Sequence, residues 1–270
     1  MLSTKYRCRV CCLAAAFFLA FSYHAHAVTI ISINIDGDTD HDLAAADVVG
    51  VVEATNWNNV GAVGSGTNRN YTNLMDNTGT VTTTDVGLGG SANLYNNNTA
   101  IDGSTITAPY LDDAKMMGSS RGESQNGLNR SVEVKQLNLA LYDVYVYFGG
   151  VNTDASTPYV LNIKLQTFDG SAYVDASPVY YMRDSNRTWD GTYNQSTATT
   201  AADAVDGQEY VLFQNVTGTQ FKILSEAVNR RAGISGVQIV EVVPEPGTEV
   251  VVLASLAGFA GLARRRRHET

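Results

Sequence analysis

Cysteine is confined to the first dozen residues. Cys8, Cys11 and Cys12 are the only three in a chain of 270 residues, so from residue 28 onward there is no disulfide, thiolate metal site or cysteine nucleophile. Histidine is almost as scarce. His24 and His26 lie near the start and His268 near the end, which leaves His41 alone in the body of the chain. A multi-histidine zinc centre is therefore excluded, and a Ser-His-Asp triad would need a histidine set among aspartates. Basic charge is short as well: residues 28 to 243 hold eleven Lys and Arg against twenty-four Asp and Glu, a net −13. Such a surface repels nucleic acid and anionic lipid and favours cations or neutral ligands.

Long apolar runs are also missing, but two short ones stand at the ends. Lys5, Arg7 and Arg9 precede an apolar stretch from Val10 to Phe21, and Ala25, His26 and Ala27 have the small-x-small form of a signal-peptidase site. Residues 1 to 27 read as a cleaved secretory signal helix. The cysteines lie at or before the start of the apolar run, so no lipobox follows it. At the other end, Val250 to Ala263 is an uncharged run of 14 residues followed by Arg264, Arg265, Arg266 and Arg267. As a helix it reaches roughly 21 Å against a hydrocarbon core of roughly 30 Å, a marginal span. The arginines hold its end on the cytoplasmic side, which leaves everything from Val28 onward outside that membrane.

The tail carries a family resemblance. Val243, Pro244, Glu245 and Pro246, the short apolar helix that follows and the terminal arginine cluster resemble the PEP-CTERM sorting signal of Gram-negative bacteria. Glu249, at the edge of the apolar run, departs from the usual uncharged segment. The resemblance implies a transient halt in the inner membrane, cleavage near the motif by an exosortase, and delivery to the cell envelope, outer surface or extracellular matrix. Signal peptidase and exosortase are thus the expected processing partners.

Between the ends, residues 28 to 243 form one expected domain, followed by the sorting tail from 244 to 270. Hydrophobicity alternates with period two in 28–35, 131–139, 142–148, 159–168, 209–216, 220–225 and 234–243, which read as strands. The segments between are rich in Asn, Thr, Ser, Gly and Asp, which is turn chemistry. Gly87 to Gly90 reads as a turn, the stretch from 58 to 130 as weak edge strands or extended loops, and Leu43 to Ala54 as the one helix candidate. The expected fold is an all-β antiparallel β-sandwich, a jelly roll with first and last strands adjacent. The opening strand, "ADVVGVVEATNWNN", "LYDVYVYF" and "AGISGVQIVEV" also resemble the galactose-binding-like modules that precede such tails, which implies a fold rather than an activity. In the strand Tyr142 to Phe148, either both faces are buried or Tyr145 and Tyr147 line a surface.

Two groups of residues are candidate sites. Asp36, Asp38, Asp40, Asp42 and Asp47 stand at positions 1, 3, 5, 7 and 12 of a calcium-loop template, although His41 replaces its glycine and Asp47 its glutamate. The alternative is a solvated acidic loop, with Asp47 serving a helix start. Trp57 and Trp189 are the only tryptophans, both among polar residues. Flat rings beside Asn, Asp and Arg suit sugar rings, and Tyr181, Arg187 and Asp190 crowd Trp189; the alternative is a tryptophan pinning a loop. No catalytic constellation is legible, and the expectation is a non-enzymatic exported protein that contacts exopolysaccharide. The rivals are a secreted glycoside hydrolase or lyase using two carboxylates, which needs no histidine, and a calcium-stiffened adhesion module.

Overall fold

The computed structural model describes residues 28–35, 41–61, 69–89, 93–96, 111–123, 129–149, 158–184, 189, 191–229 and 232–243. Among the described residues fourteen strands run in chain order: β1 Ile30–Ile35, β2 Asn58–Val60, β3 Arg69–Tyr71, β4 Asp85–Gly89, β5 Asn93–Asn96, β6 Ser119–Glu123, β7 Asn129–Lys135, β8 Tyr142–Tyr147, β9 Tyr159–Phe168, β10 Tyr173–Asp184, β11 Tyr210–Val216, β12 Phe221–Asn229, β13 Ala232–Ile234 and β14 Gly236–Glu241. One helix, α1 Leu111–Gly118, precedes β6. The expected signal helix, with Ala25 and Ala27, lies outside the described residues, as do Pro244, Glu245, Pro246, Arg264, Arg265, Arg266, Arg267 and the rest of the sorting tail. Among the described residues no helix is long and apolar enough to cross a membrane.

Two main sheets face each other. One has the order β11-β8-β14-β1-β2 and the other β10-β9-β12-β7-β4-β3, while β13, β6 and β5 form a small third sheet. The sandwich follows from alternation within the strands. In β9, Leu161, Ile163 and Leu165 are buried while Asn162, Lys164 and Gln166 are half-buried on the outer face. In β8, Val144 and Val146 point into the same core, joined by Ile31, Ile33 and Ile35 of β1, Val237 and Ile239 of β14, and Phe221 and Ile223 of β12. Burying each such side chain is worth about 1.5–3 kcal/mol, which lets the core stand without disulfides.

The first and last strands are adjacent, as expected. β1 and β14 run antiparallel with Ile31 opposite Ile239 and Ile33 opposite Val237, in the middle of the five-stranded sheet. Their outer ends are pinned: the Glu241 amide donates to the Thr29 carbonyl at 2.9 Å, and the Thr29 amide donates to the Glu241 carboxylate at 3.1 Å.

Two expectations are corrected, and one strand appears that none of them covered. Leu43 to Ala54 is not helical but a run of turns closed by a short bridge between Val49 and Ala54. Gly50 sits at φ +99°, outside helical space, and Val49 and Ala54 exchange backbone hydrogen bonds at 3.1 and 3.2 Å in place of a helical ladder. Gly87 to Gly89 is not a turn, because β4 alternates with Val86 and Leu88 in the core and pairs with β7 along its length. β10 is a strand that alternation concealed: its pairing with β9 is interrupted between Ala176 and Tyr180, around Pro178, although Ala176, Tyr180 and Met182 on either side all face the core. The helix appears instead at α1, which packs Met116 and Met117 against the five-stranded sheet.

That docking depends on two glycines. A Cβ on Gly236 would lie 2.7 Å from Met116 Sδ, and one on Gly149 would lie 2.2 Å from the Met117 carbonyl oxygen. Gly149→Ala is expected to cost about 1–3 kcal/mol through overpacking, since the obstacle is backbone. Urea unfolding followed by Trp57 fluorescence checks this, and a variant with the wild-type midpoint would mean that α1 is not seated there.

Candidate functional site

The outer face of the five-stranded sheet is where the aromatic residues gather. Because Val144 and Val146 fill the core, alternation sends Tyr145 and Tyr147 of β8 outward, and Tyr210 of β11 stands directly opposite Tyr147. Both readings of these tyrosines meet here. Tyr147 is fully buried beneath the 41–57 turns, Tyr193 and Trp57, whereas Tyr145 is half-buried at the margin. The rings form a continuous row: Trp189 to Tyr193 at 5.1 Å between centroids, Tyr193 to Tyr147 at 5.5 Å, Tyr147 to Tyr210 at 6.1 Å and Tyr210 to Tyr145 at 6.0 Å. These spacings fit attractive ring pairs.

Beneath the row lies a satisfied polar network. The Tyr147 hydroxyl donates to Gln238 and accepts from the Val51 amide at 2.9 Å, and the Gln238 amide group donates to the Val52 carbonyl at 2.8 Å. These bonds fasten the 41–57 turns to β14. From α1, the Asp113 carboxylate accepts from the Tyr193 hydroxyl at 2.6 Å and the Gly50 amide at 2.8 Å. Burial raises the Asp113 pKa, the neighbouring charges of Asp112 and Glu53 add to the rise, and the two hydrogen bonds oppose it. Burial also lifts Tyr193, with the Asp113 charge behind it, and lifts Tyr145 and Tyr210. The phenols therefore stay neutral at physiological pH, and the row presents ring faces and hydroxyls rather than charge.

The expected site residues are dispersed. Trp57 is 3% exposed, with its indole N–H given to the Ala54 carbonyl at 3.0 Å. It is therefore corrected from a ligand platform to the packing post of this second cluster. Trp189 is half-buried, donates to the Thr192 carbonyl at 2.9 Å, and ends the aromatic row. Tyr181 stands apart from it, on the outer face of the six-stranded sheet opposite Asn162, because Met182 beside it fills the core. Arg187 and Asp190 lie outside the described residues. So do Asp36, Asp38 and Asp40 of the candidate calcium loop, while Asp42 is exposed and Asp47 is bound to Lys115 Nζ at 2.9 Å. Among the described residues no three His, Cys, Asp or Glu side chains group as a metal site. From the sequence, Tyr193 belongs to the patch around Trp189 and Asp113 to a carboxylate pair with Asp112 that chance explains; Tyr210 was not singled out, and the outward phase of Tyr145 and Tyr147 pointed to this face.

The other end of the sheet carries the sorting tail. Val242 donates to the Leu141 carbonyl at 2.9 Å, and a family model for the PEP-CTERM protein-sorting motif matches residues 242–267. The chain carries a PEP-CTERM sorting signal. It is thereby an exported protein, processed by an exosortase for attachment at the cell envelope or surface. The signal begins one residue after β14 ends, so the folded sheet and the sorting motif are contiguous.

Comparison with curated proteins finds no match in sequence. Among solved structures, the chain is similar to a β-glucuronidase from Bacteroides uniformis (11% identity, TM-score 0.38, 79% of this chain and 18% of that one). It is also similar to an exo-β-1,3-galactanase from Phanerochaete chrysosporium (13% identity, TM-score 0.29, 56% and 26%). A third is a xylan-binding domain from Paenibacillus barcinonensis (11% identity, TM-score 0.25, 57% and 77%). The chain thus spans less than a fifth of the first enzyme and about a quarter of the second.

Two outcomes test the network. Tyr147→Phe strands the Val51 amide and the Gln238 carbonyl and is expected to cost about 1–3 kcal/mol in urea unfolding; an unchanged midpoint would contradict the network. Because the folded pKa of Asp113 is raised, its contribution favours folding at low pH and is lost as pH climbs through the range just above the ordinary 3.8. Asp113→Asn keeps the Oδ1 acceptor without the charge, so the stability difference between variant and wild type should grow in the variant's favour across that range. A difference that stays flat with pH would show the carboxylate to be unperturbed.

Proposed function

We propose that the folded part is a non-catalytic polysaccharide-binding module displayed at the outer surface or in the extracellular matrix of a Gram-negative bacterium. The observation that carries this reading is the aromatic row, and specifically its place. β14 runs from Gly236, level with Tyr147, to Glu241, where the sorting tail departs. Five steps along a strand separate the two by roughly 17 Å. The rings therefore lie toward the end of the sheet away from the tail, where a domain tethered by that tail meets its surroundings.

The chemistry of the row suits a neutral polymer. Half-buried Trp189, Tyr193, Tyr210 and Tyr145 offer ring faces for the C–H side of a pyranose, and their neutral hydroxyls and the nearby backbone offer hydrogen bonds. With a net −13 over residues 28 to 243, an uncharged sugar chain is favoured over an acidic one. Export and sorting deliver the module to the compartment where such polymers accumulate.

Full-length chain in detergent, tested on immobilised neutral β-glucan, xylan and galactan, is expected to retain on at least one. Trp189→Ala should weaken that retention about tenfold, roughly 1.4 kcal/mol, with little change in the urea midpoint. Retention unaffected by the substitution would move the site elsewhere, no retention would remove polysaccharide binding altogether, and turnover of the polymer would favour the carboxylate hydrolase instead.

A further inference from the structure

The outer face of the six-stranded sheet, opposite the aromatic row across the sandwich, holds a polar cleft. Cross-strand register sets six residues in a line over it: Asn70 beside Gly87, Gly87 beside Glu133, Glu133 beside Lys222, Lys222 beside Gln166, and Gln166 beside Asp175. At about 4.8 Å per strand the line runs roughly 24 Å. Where it crosses β4 it opens into a cleft of about 330 Å³ between Asn70, Gly87, Gly89, Ser131, Glu133 and Lys222.

The two glycines keep the cleft open. Val86 and Leu88 face the core, so positions 87 and 89 face outward, where a strand gains from β-branched side chains and is weakened by glycine. Neither glycine adopts a positive φ, so turn geometry does not require them. A Cβ at Gly87 would stand 2.9 Å from Asn70 Oδ1, and one at Gly89 would stand 2.2 Å from Ser131 Oγ. Glycine here leaves room above the sheet into which neighbouring polar side chains lean, the arrangement a strand uses where something must approach closely.

The lining decides what that is. Glu133 and Lys222 bring opposite charges 3.8 Å apart, and Lys222 Nζ stands 4.1 Å over the Tyr173 ring. Burial pushes the Glu133 carboxyl up, but Lys135, the Tyr173 hydroxyl and Lys222 outweigh it and hold it below its ordinary value. The cleft is thus zwitterionic, its carboxylate held between Lys222 and, at 2.9 Å, Lys135. It offers an ammonium donor, a carboxylate acceptor, a hydroxyl and an amide. Adjacent hydroxyls on a sugar ring, each both donor and acceptor, satisfy that set.

We propose that this cleft is a second saccharide site, so that the domain holds one segment of neutral polysaccharide on each outer face and bridges the two. The inference rests on the polysaccharide reading above and extends it from binding to cross-linking. Full-length chain in detergent is mixed with the soluble neutral polymer that retains it, and light scattering reports bridging while surface retention reports binding. Wild type is expected to raise scattering at least tenfold over polymer alone. Gly87→Val, which fills the cleft with a side chain that strands favour, should abolish most of that rise while changing retention less than threefold. Lys222→Met, which leaves both glycines in place, should do the same and guards against a folding defect in the first variant. Wild-type scattering in both variants would overturn the second site and leave single-face binding intact, and failure of the wild type to bind any of the polymers would overturn both.

Discussion

The pairing of β1 with β14 is the constraint on which the rest depends. It joins the first and last strands of the described chain, and it sits in the middle of the five-stranded sheet with β8 on one side and β2 on the other. Every residue of β1 is buried, and Val237 and Ile239 of β14 lie in the same core as Ile31, Ile33 and Ile35. The sheet cannot close until residues near 241 are in place. Contacts this distant along the chain make loop closure the slow and costly part of folding.

Because that sheet is buried on both faces, something must cover its outside, and the cover is where the structure departs from a plain sandwich. α1, the 41–57 turns and the loop carrying Trp189 and Tyr193 supply it. They are held by few but well-satisfied contacts: Tyr147 and Gln238 from below, Asp113 from the side, and the Asp47 and Asp112 pairs with Lys115 at the rim. The cover leaves Tyr145, Tyr210 and Trp189 only half-buried, so the structural cluster and the candidate binding row are one continuous set of rings. The six-stranded sheet, by contrast, shows solvent a polar outer face, as an antiparallel sheet commonly does.

Much of this was legible in the residues. Period-two alternation located β1, β7, β8, β9, β11, β12 and β14, because each turns one apolar face to the core; in β1 and β14 the other face is covered as well, yet Ser32, Asn34 and Gln238 keep it polar. The adjacency of first and last strands also followed. Legibility failed where a local device masked the pattern: the irregularity at Pro178 interrupts β10, and Gly87 and Gly89 made β4 look like a turn. Leu43 to Ala54 looked helical by composition, yet Gly50 at φ +99° and the tertiary pull of the sheet made it a set of turns. The aromatic row was half visible. The phase of Tyr145 and Tyr147 showed an unusual outer face, but Tyr193, Tyr210 and Asp113 come to it from distant segments whose meeting only the fold decides, and Trp57 proved to be packing.

Sorting and fold meet at one point in the chain. β14 ends at Glu241 and the matched motif starts at 242, so processing that removes the tail must leave Glu241 and everything before it, or it cuts into a central strand of the sheet. The most direct measurement is the intact mass, with terminal sequencing, of the protein recovered from the surface of cells that contain an exosortase and of cells that lack it. The account predicts a chain starting at Val28 and ending beyond Val243 but before the apolar run at Val250 in the first case, and a retained tail in the second. A tail retained in both, or a chain cut within Gly236–Glu241, would contradict it.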